Sequence, residues 1–493
     1  MSGRLVNEVG KVHPIVWIYL LSIVIPIGFS VGSIALTGLR ILLLLVVVPM
    51  TFRLFSGAYG KVYPVDYLFF LHIAWASVAV GVNNPDLAVE NVGSTAVEFV
   101  GGYLIGRAYI RSAADLIALI RAILLLVLIS LPFAVIEALN GTAIIPDLID
   151  RAPGLTTVNQ VDIEKRMGLH RVQVFFAHPI HYGLFCSTAL ALTYIGLRTV
   201  TSRGKRLLGC AAICLGVFMS LSSGALLAAL LQIGLIAWDT MFSKVARRWL
   251  MLLGLFAVMY VLIDLLSNRT PIKVLMSYAT FSAHTAYYRS IIFEWGMINV
   301  WDNPIFGLGL RNWIRPSYMK SGSMDNFWLV MAVRYGIPGF LLIALGYADA
   351  IYRVGRKKLT PGTTLSDLRL GWMIMFVGLS FTLVTVHIWT SVYSFVFFLL
   401  ASGLWIASAN DEKNTSATLS ASGQGSRSRG AGPALSRDFG EKANSGLRRR
   451  RGQSETALPL ARVEFDEGPA AARDGPVFTR FPARQDSSES EPK

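Results

Sequence analysis

Apolar runs recur from the N-terminus to about residue 409, each near the length of a membrane-crossing helix and each broken by a short polar stretch. A helix needs about 20 residues to cross a bilayer's hydrocarbon core. Lipid offers the backbone no hydrogen-bond partner, so such runs must be helices or strands of a closed barrel. These runs are continuous rather than alternating, which excludes the barrel. They begin near residues 14, 34, 65, 91, 115, 179, 206, 223, 248, 325, 370 and 389. The pattern predicts an all-α polytopic bundle of about twelve transmembrane helices over residues 1–409. The first run, Ile15 to Val31, lacks a small-residue cleavage site and another follows at once, so it reads as a span and not a signal peptide.

Charge placement orients the bundle. Basic residues in short connections mark the cytoplasmic side. They occur in alternate connections: Arg53 and Lys61; Arg107 and Arg111; Arg198, Arg203, Lys205 and Arg206; Lys244, Arg247 and Arg248; Arg353, Arg356, Lys357 and Lys358. The connection Asn83–Glu90 carries acids and no Lys or Arg. Both termini are therefore expected in the cytoplasm. Two long connections, about 140–177 and 268–324, are expected outside, where loops of such length are usually functional. The second contains a helix-like stretch from Tyr278 to Val300, with Trp295 and Trp301 on it or beside it, suited to a membrane surface or to a place over a cavity.

Composition agrees: 54% of the 493 residues are hydrophobic and 15% are charged, too few charges for a soluble surface. From Asn410 the chain becomes rich in Ser, Gly, Arg, Ala and Glu, so residues 410–493 read as a disordered basic cytoplasmic tail. Its run Arg448-Arg449-Arg450-Arg451 suits anionic lipid headgroups or simple solvation. The net charge of +15 lies in short connections and the tail, without a base-stacking fold, so nucleic acid is not an expected partner. Cys186, Cys210 and Cys214 fall inside apolar runs and read as packing residues.

Candidate chemistry lies in the two long connections. The first carries Lys165-Arg166-Met167-Gly168-Leu169-His170-Arg171 and then His178-Pro179-Ile180-His181. The second carries Arg269, Lys273, Arg289, Arg311, Arg315 and Lys320 against Glu294 and Asp302. Guanidinium groups match phosphate oxygens through a planar fork of donors. The cluster therefore points to a lipid-linked phosphate or pyrophosphate, with solvated loop charge as the alternative. The His178/His181 spacing is not that of a helix-borne metal pair, so no metal or other cofactor is expected. His178, at the start of a span, reads either as an acid/base or hydrogen-bonding group or as structural.

These residues carry a resemblance. Asp325-Asn326-Phe327 through Tyr335, followed by Gly336-Ile337-Pro338-Gly339, looks like the signature of the O-antigen polymerase and O-antigen ligase superfamily. Tyr288-Arg289 with Trp295 and Asn303-Pro304-Ile305-Phe306-Gly307-Leu308-Gly309 is similar to that family's large periplasmic loop, and Arg166 to Gly183 to its other characteristic region. The ligases place a His where this chain has Asp325, which fits the exopolysaccharide polymerases better. The resemblance implies a multi-pass protein of a bacterial inner membrane that polymerises undecaprenyl-pyrophosphate-linked repeat units by metal-independent glycosyl transfer. It implies pyrophosphate binding by Arg166, Arg171, Arg289 and Arg311, and Asp325 or His178 on the attacking hydroxyl. Asp325 could orient that hydroxyl, accept its proton, or hold a neighbouring arginine. Chain-length regulators and export proteins are the implied partners. A ligase moving glycan to a lipid or protein acceptor, a secondary transporter and a non-catalytic scaffold of an export complex are the alternatives.

Overall fold

The computed structural model describes residues 10–31, 34–267, 283–319 and 321–409. These fall in one compact unit, Met1–Asp411. The expected tail, its arginine run, and Tyr278, Arg269, Lys273 and Lys320 lie outside the described residues.

Helices account for nearly all regular structure. In chain order they are α1 Pro14–Val24, α2 Gly38–Phe55, α3 Pro64–Asn83, α4 Pro85–Tyr109, α5 Ala113–Asn140, α6 Ile144–Asp150 and α7 Pro179–Ala191. There follow α8 Arg203–Met219, α9 Ser223–Met241, α10 Arg248–Leu266, α11 Ala283–Asp302, α12 Phe327–Arg356, α13 Thr364–Thr385 and α14 Thr390–Ser402. Eight are long and apolar enough to cross a membrane: α2, α3, α5, α9, α10, α12, α13, and α14 with its extension to Ser408. Each of the twelve expected starts falls on or near a helix, but α1 is short and α4, α7 and α8 do not meet that measure. The helix of the second loop begins at Ala283.

One element departs from the all-helical expectation. Residues 25–37 do not belong to the first or second span but contain the hairpin β1 Gly28–Val31 and β2 Ile34–Thr37. The physical cause is Pro26, which cannot continue α1. The freed backbone pairs across the hairpin, and the Gly28 N–H and carbonyl bond Thr156, each at 2.7 Å. The first long loop is thereby tied to the top of α1.

Local chemistry starts and stops the helices. Ser112 accepts from Asp115 N–H at the head of α5, and Gly141, in the left-handed conformation, ends it. Asn326 accepts from Leu329 N–H and caps α12. α3 packs along α12, α4 along α14, and α7 between α8 and α9. The centre is a stack of buried rings, with Phe69, Phe99, Tyr103 and Phe397 in edge-on contact at 4.4–5.3 Å.

The Gly-x-x-Gly signature breaks α12. Gly336 has φ 70° and ψ 179°, which interrupts the helical ladder and frees carbonyls of the preceding turn. Val333 O accepts from Leu308 N–H at 2.7 Å, Arg334 O from Gly309 N–H at 2.9 Å, and Tyr335 O from the Trp75 indole at 2.9 Å. A Cβ at Gly336 would fall onto the Ile305 carbonyl. The signature glycines thus lock the Asn303–Gly309 loop against the kink, a positioning role.

Candidate functional site

One end of the bundle gathers the loop segments that carry the candidate chemistry. Arg166 and Leu169 exchange backbone bonds at 3.0 Å around Met167 and Gly168, which both adopt positive φ, as a tight mirror-image turn requires. The turn aims the Arg166 guanidinium back at the connection between α8 and α9, where it donates to the Leu221 carbonyl at 2.8 Å. Further on, the Glu137 carboxylate, near the end of α5, accepts from Gln173 N–H at 2.7 Å and Val174 N–H at 2.9 Å. The Gln173 side chain donates to the Asn159 and Phe176 carbonyls and accepts from Val161 N–H. Arg171 is held between these two anchored stretches.

Arg289 reaches the same place from α11. It is 8% exposed, and its Nε and Nη1 have no hydrogen-bond partner. Glu294 and Asp302, the acids of the same loop, are both exposed, and Arg289 makes no ion pair among the described residues. Asp325, half-buried, accepts from the Ser323 hydroxyl at 2.7 Å just before α12. Arg166 acts electrostatically on Arg171, Arg289 and His178, Asp325 acts on Arg171 and Arg289, and Arg171 acts on His178. Burial and then Arg166 push Arg171 down to about 10, against the pull of Asp325. Burial also lowers Arg289, again opposed by Asp325 and reinforced by Arg166. Arg171 and Arg289 thus share the carboxylate of Asp325 and are both disfavoured by Arg166, whose own charge is supported by Glu164.

His178 caps α7: its Nδ1 accepts from Ile180 N–H at 3.1 Å. Burial, followed by the charges of Arg171 and Arg166, lowers it to about 4. A neutral imidazole whose Nδ1 accepts carries its proton on Nε2. His178 is thus built to donate a hydrogen bond, and its free nitrogen is not a base.

The N-termini of α7, α12 and α14 meet here. The rings of His178 and Trp389, which cap α7 and α14, lie 6.0 Å apart, and Phe327 N–H, opening α12, donates to Val386 O at 3.1 Å. Three positive helix ends add to the arginine field, a setting that favours an anion. The segments are also strained. The non-glycine residues with positive φ among the described residues are Met167, Val174, Leu221 and Thr390, and all four adjoin the site. Each costs on the order of 1–3 kcal/mol and persists only where the surroundings over-determine it.

Two expected residues stand apart. Arg311 is exposed and donates to the Asn83 carbonyl at 3.4 Å, at the end of α3. Asn326 spends its side chain on the α12 cap. The His170 ring packs over Gly141, where an added Cβ would meet it at 2.6 Å. Sequence reading passed over Glu137, Gln173, His387 and Trp389. Glu137 had a signal, since a lone acid inside an apolar run is functional by default.

Among protein families, residues 208–344 match the family model described as O-antigen ligase. No curated protein matches the chain.

Proposed function

We propose, from the match of residues 208–344 to the O-antigen ligase family model, that this chain is an enzyme of the O-antigen ligase and polymerase superfamily that polymerises polyprenyl-pyrophosphate-linked repeat units into exopolysaccharide or O-antigen. Transfer would take place on the outer face of the inner membrane. The observation that carries the reading is Arg289, a buried guanidinium with two unpaired nitrogens that feels both Arg166 and Asp325. A buried donor without a partner is costly unless a ligand satisfies it. A ligand that satisfies a guanidinium fork is anionic, as a lipid pyrophosphate is.

In the proposed step, the acceptor hydroxyl attacks the anomeric carbon of the donor sugar. The new C–O bond forms as the bond from C1 to the pyrophosphate oxygen breaks, and the bonding pair leaves with the pyrophosphate. Arg289, Arg171 and Arg166 stabilise that developing charge. Asp325 orients the hydroxyl and takes its proton. His178 donates from Nε2 to an oxygen of the donor. The lipid tail enters laterally between helices.

A second reading, transfer of finished glycan to a lipid or protein acceptor, is favoured by the description of the matched family as a ligase. The test is glycan length and attachment in a strain lacking the chain. Loss of a polymerase leaves single repeats, loss of a ligase leaves long unattached chains, and loss of a transporter leaves repeats trapped inside. Only the first outcome supports the proposal.

A further inference from the structure

Buried side-chain nitrogen and oxygen atoms without a partner are unevenly distributed. Of the eleven such atoms among the described residues, seven belong to Arg171, Arg289, His181, His387 and Tyr393. Arg171 and Arg289 are cationic and belong to the anion site already described. The others are neutral and aromatic, and His181 among them adjoins His178, with ring centroids 6.5 Å apart. His181 is fully buried, and neither ring nitrogen makes a well-formed hydrogen bond, although one lies towards the His387 backbone. Its ring centroid is 4.0 Å from that of Trp389. His387 stacks with Trp389 as well, 5.8 Å away and inclined by 26°, with its Nδ1 unpaired. Tyr393, 5% exposed and with an unpaired hydroxyl, lies 5.9 Å from Phe327 at the head of α12.

This chemistry differs in kind from that of the arginines. Neutral imidazoles both donate and accept, so they suit hydroxyl groups, which do the same. Trp389 is half-buried at the cap of α14 and offers a large apolar face with a polar edge. The residue after it, Thr390, is held at φ 52°, so the backbone that presents the indole is strained into place. A flat apolar face flanked by unsatisfied neutral hydrogen-bonding groups matches a pyranose, whose C–H face is apolar and whose rim bears hydroxyls. His178 joins the two groups, since it feels Arg171 and lies 6.0 Å from Trp389.

We infer that His181, His387 and Trp389 form the acceptor subsite, which seats the sugar carrying the attacking hydroxyl, with Trp389 as its stacking platform. The inference rests on the proposed glycosyl transfer and assigns its two substrates to separate, chemically distinct halves of one site. Trp389 and His387 are specificity-determining residues in this scheme, and His181 is a positioning residue behind the indole.

The test separates the halves by ligand. The full chain in nanodiscs is titrated with two probes: undecaprenyl pyrophosphate, and the host's repeat-unit oligosaccharide freed of its pyrophosphate. Trp389→Leu and His387→Phe should each weaken oligosaccharide binding about tenfold or more and leave pyrophosphate binding unchanged. That unchanged arm also shows that the variant is folded. Trp389→Phe, which keeps an aromatic face, should restore most of the loss. In transfer assays, Trp389→Leu should raise the KM for acceptor and not for donor. Arg289→Ala should show the opposite binding pattern. Oligosaccharide affinity unaltered in both Trp389→Leu and His387→Phe overturns the subsite. So does a loss of pyrophosphate binding in either of them, or failure of Trp389→Phe to restore. Unaltered pyrophosphate binding in Arg289→Ala instead overturns the underlying donor assignment.

Discussion

Replacing Arg289 with methionine should separate function from stability in opposite directions. The guanidinium is buried, makes no ion pair among the described residues, and leaves Nε and Nη1 unpaired. An unsatisfied buried donor costs about 1–3 kcal/mol. An apolar side chain of similar length removes that cost, and replacing uncompensated buried charge by packing is neutral or stabilising. Arg289→Met should therefore leave the melting temperature in detergent unchanged or raise it. Turnover should move the other way. Removing one preorganised donor aimed at developing negative charge costs about 10²–10³-fold in kcat, about 3–4 kcal/mol. With two free nitrogens on one fork, a loss of at least a hundredfold is expected. Arg289→Lys keeps the charge and loses the fork, so it should also be impaired. The assays are polymer formed per folded protein from lipid-linked repeat units, and differential scanning fluorimetry on the same preparations. A lower melting temperature with turnover lost in proportion would show Arg289 to be structural. Near-normal turnover in Met and Lys variants alike would remove it from the pyrophosphate site and pass the role to Arg171 or Arg166.

Other consequences are equally open to measurement. Glu137→Gln leaves one carbonyl for two backbone N–H groups that the carboxylate now accepts at 2.7 and 2.9 Å. It should destabilise by about 1–3 kcal/mol and impair transfer through displacement of Arg171, seen as a lower melting temperature and faster proteolysis of the first long loop. His178 falls from 6.5 to about 4 on folding, so the native state binds fewer protons than the unfolded chain between those values. Its contribution to stability is then complete above the unfolded value and is lost as pH falls from 6.5 towards 4. His178→Asn keeps a cap and should flatten that part of the melting-temperature profile, while a turnover inflection near neutral pH that vanishes in His178→Asn would contradict a neutral donor. Reporter fusions after Gly154 and Gly322 should be active only as periplasmic reporters, and cytoplasmic-type activity at either position would reverse the orientation.

Hydrophobic periodicity and charge by themselves determined the helical membrane bundle, the near-positions of its helices and the two loops that hold the candidate chemistry. Those properties are local: a run of about 20 apolar residues has one low-energy solution in lipid, whatever its neighbours do. The same local reading singled out Arg166, Arg171, Arg289, His178 and Asp325 as candidates, because an arginine in a long connection and an acid at a helix start are visible one at a time. Their convergence is another matter. It depends on Glu137 clamping residues 173 and 174, on Leu221 offering a carbonyl to Arg166, and on the break at Gly336 that locks residues 303–309. Each contact joins segments far apart in the chain, so no periodicity encodes it. Tertiary structure likewise set Arg311 aside at the end of α3 and gave Asn326 to a helix cap. It decided the state of His178 as well, because a neutral Nδ1 acceptor follows from burial beside two arginines that lie 7 and 12 residues upstream. The run Ile15 to Val31 read as one span through Pro26; that the chain breaks there and pairs with its neighbour and with Thr156 was decided only when the first loop folded back over α1.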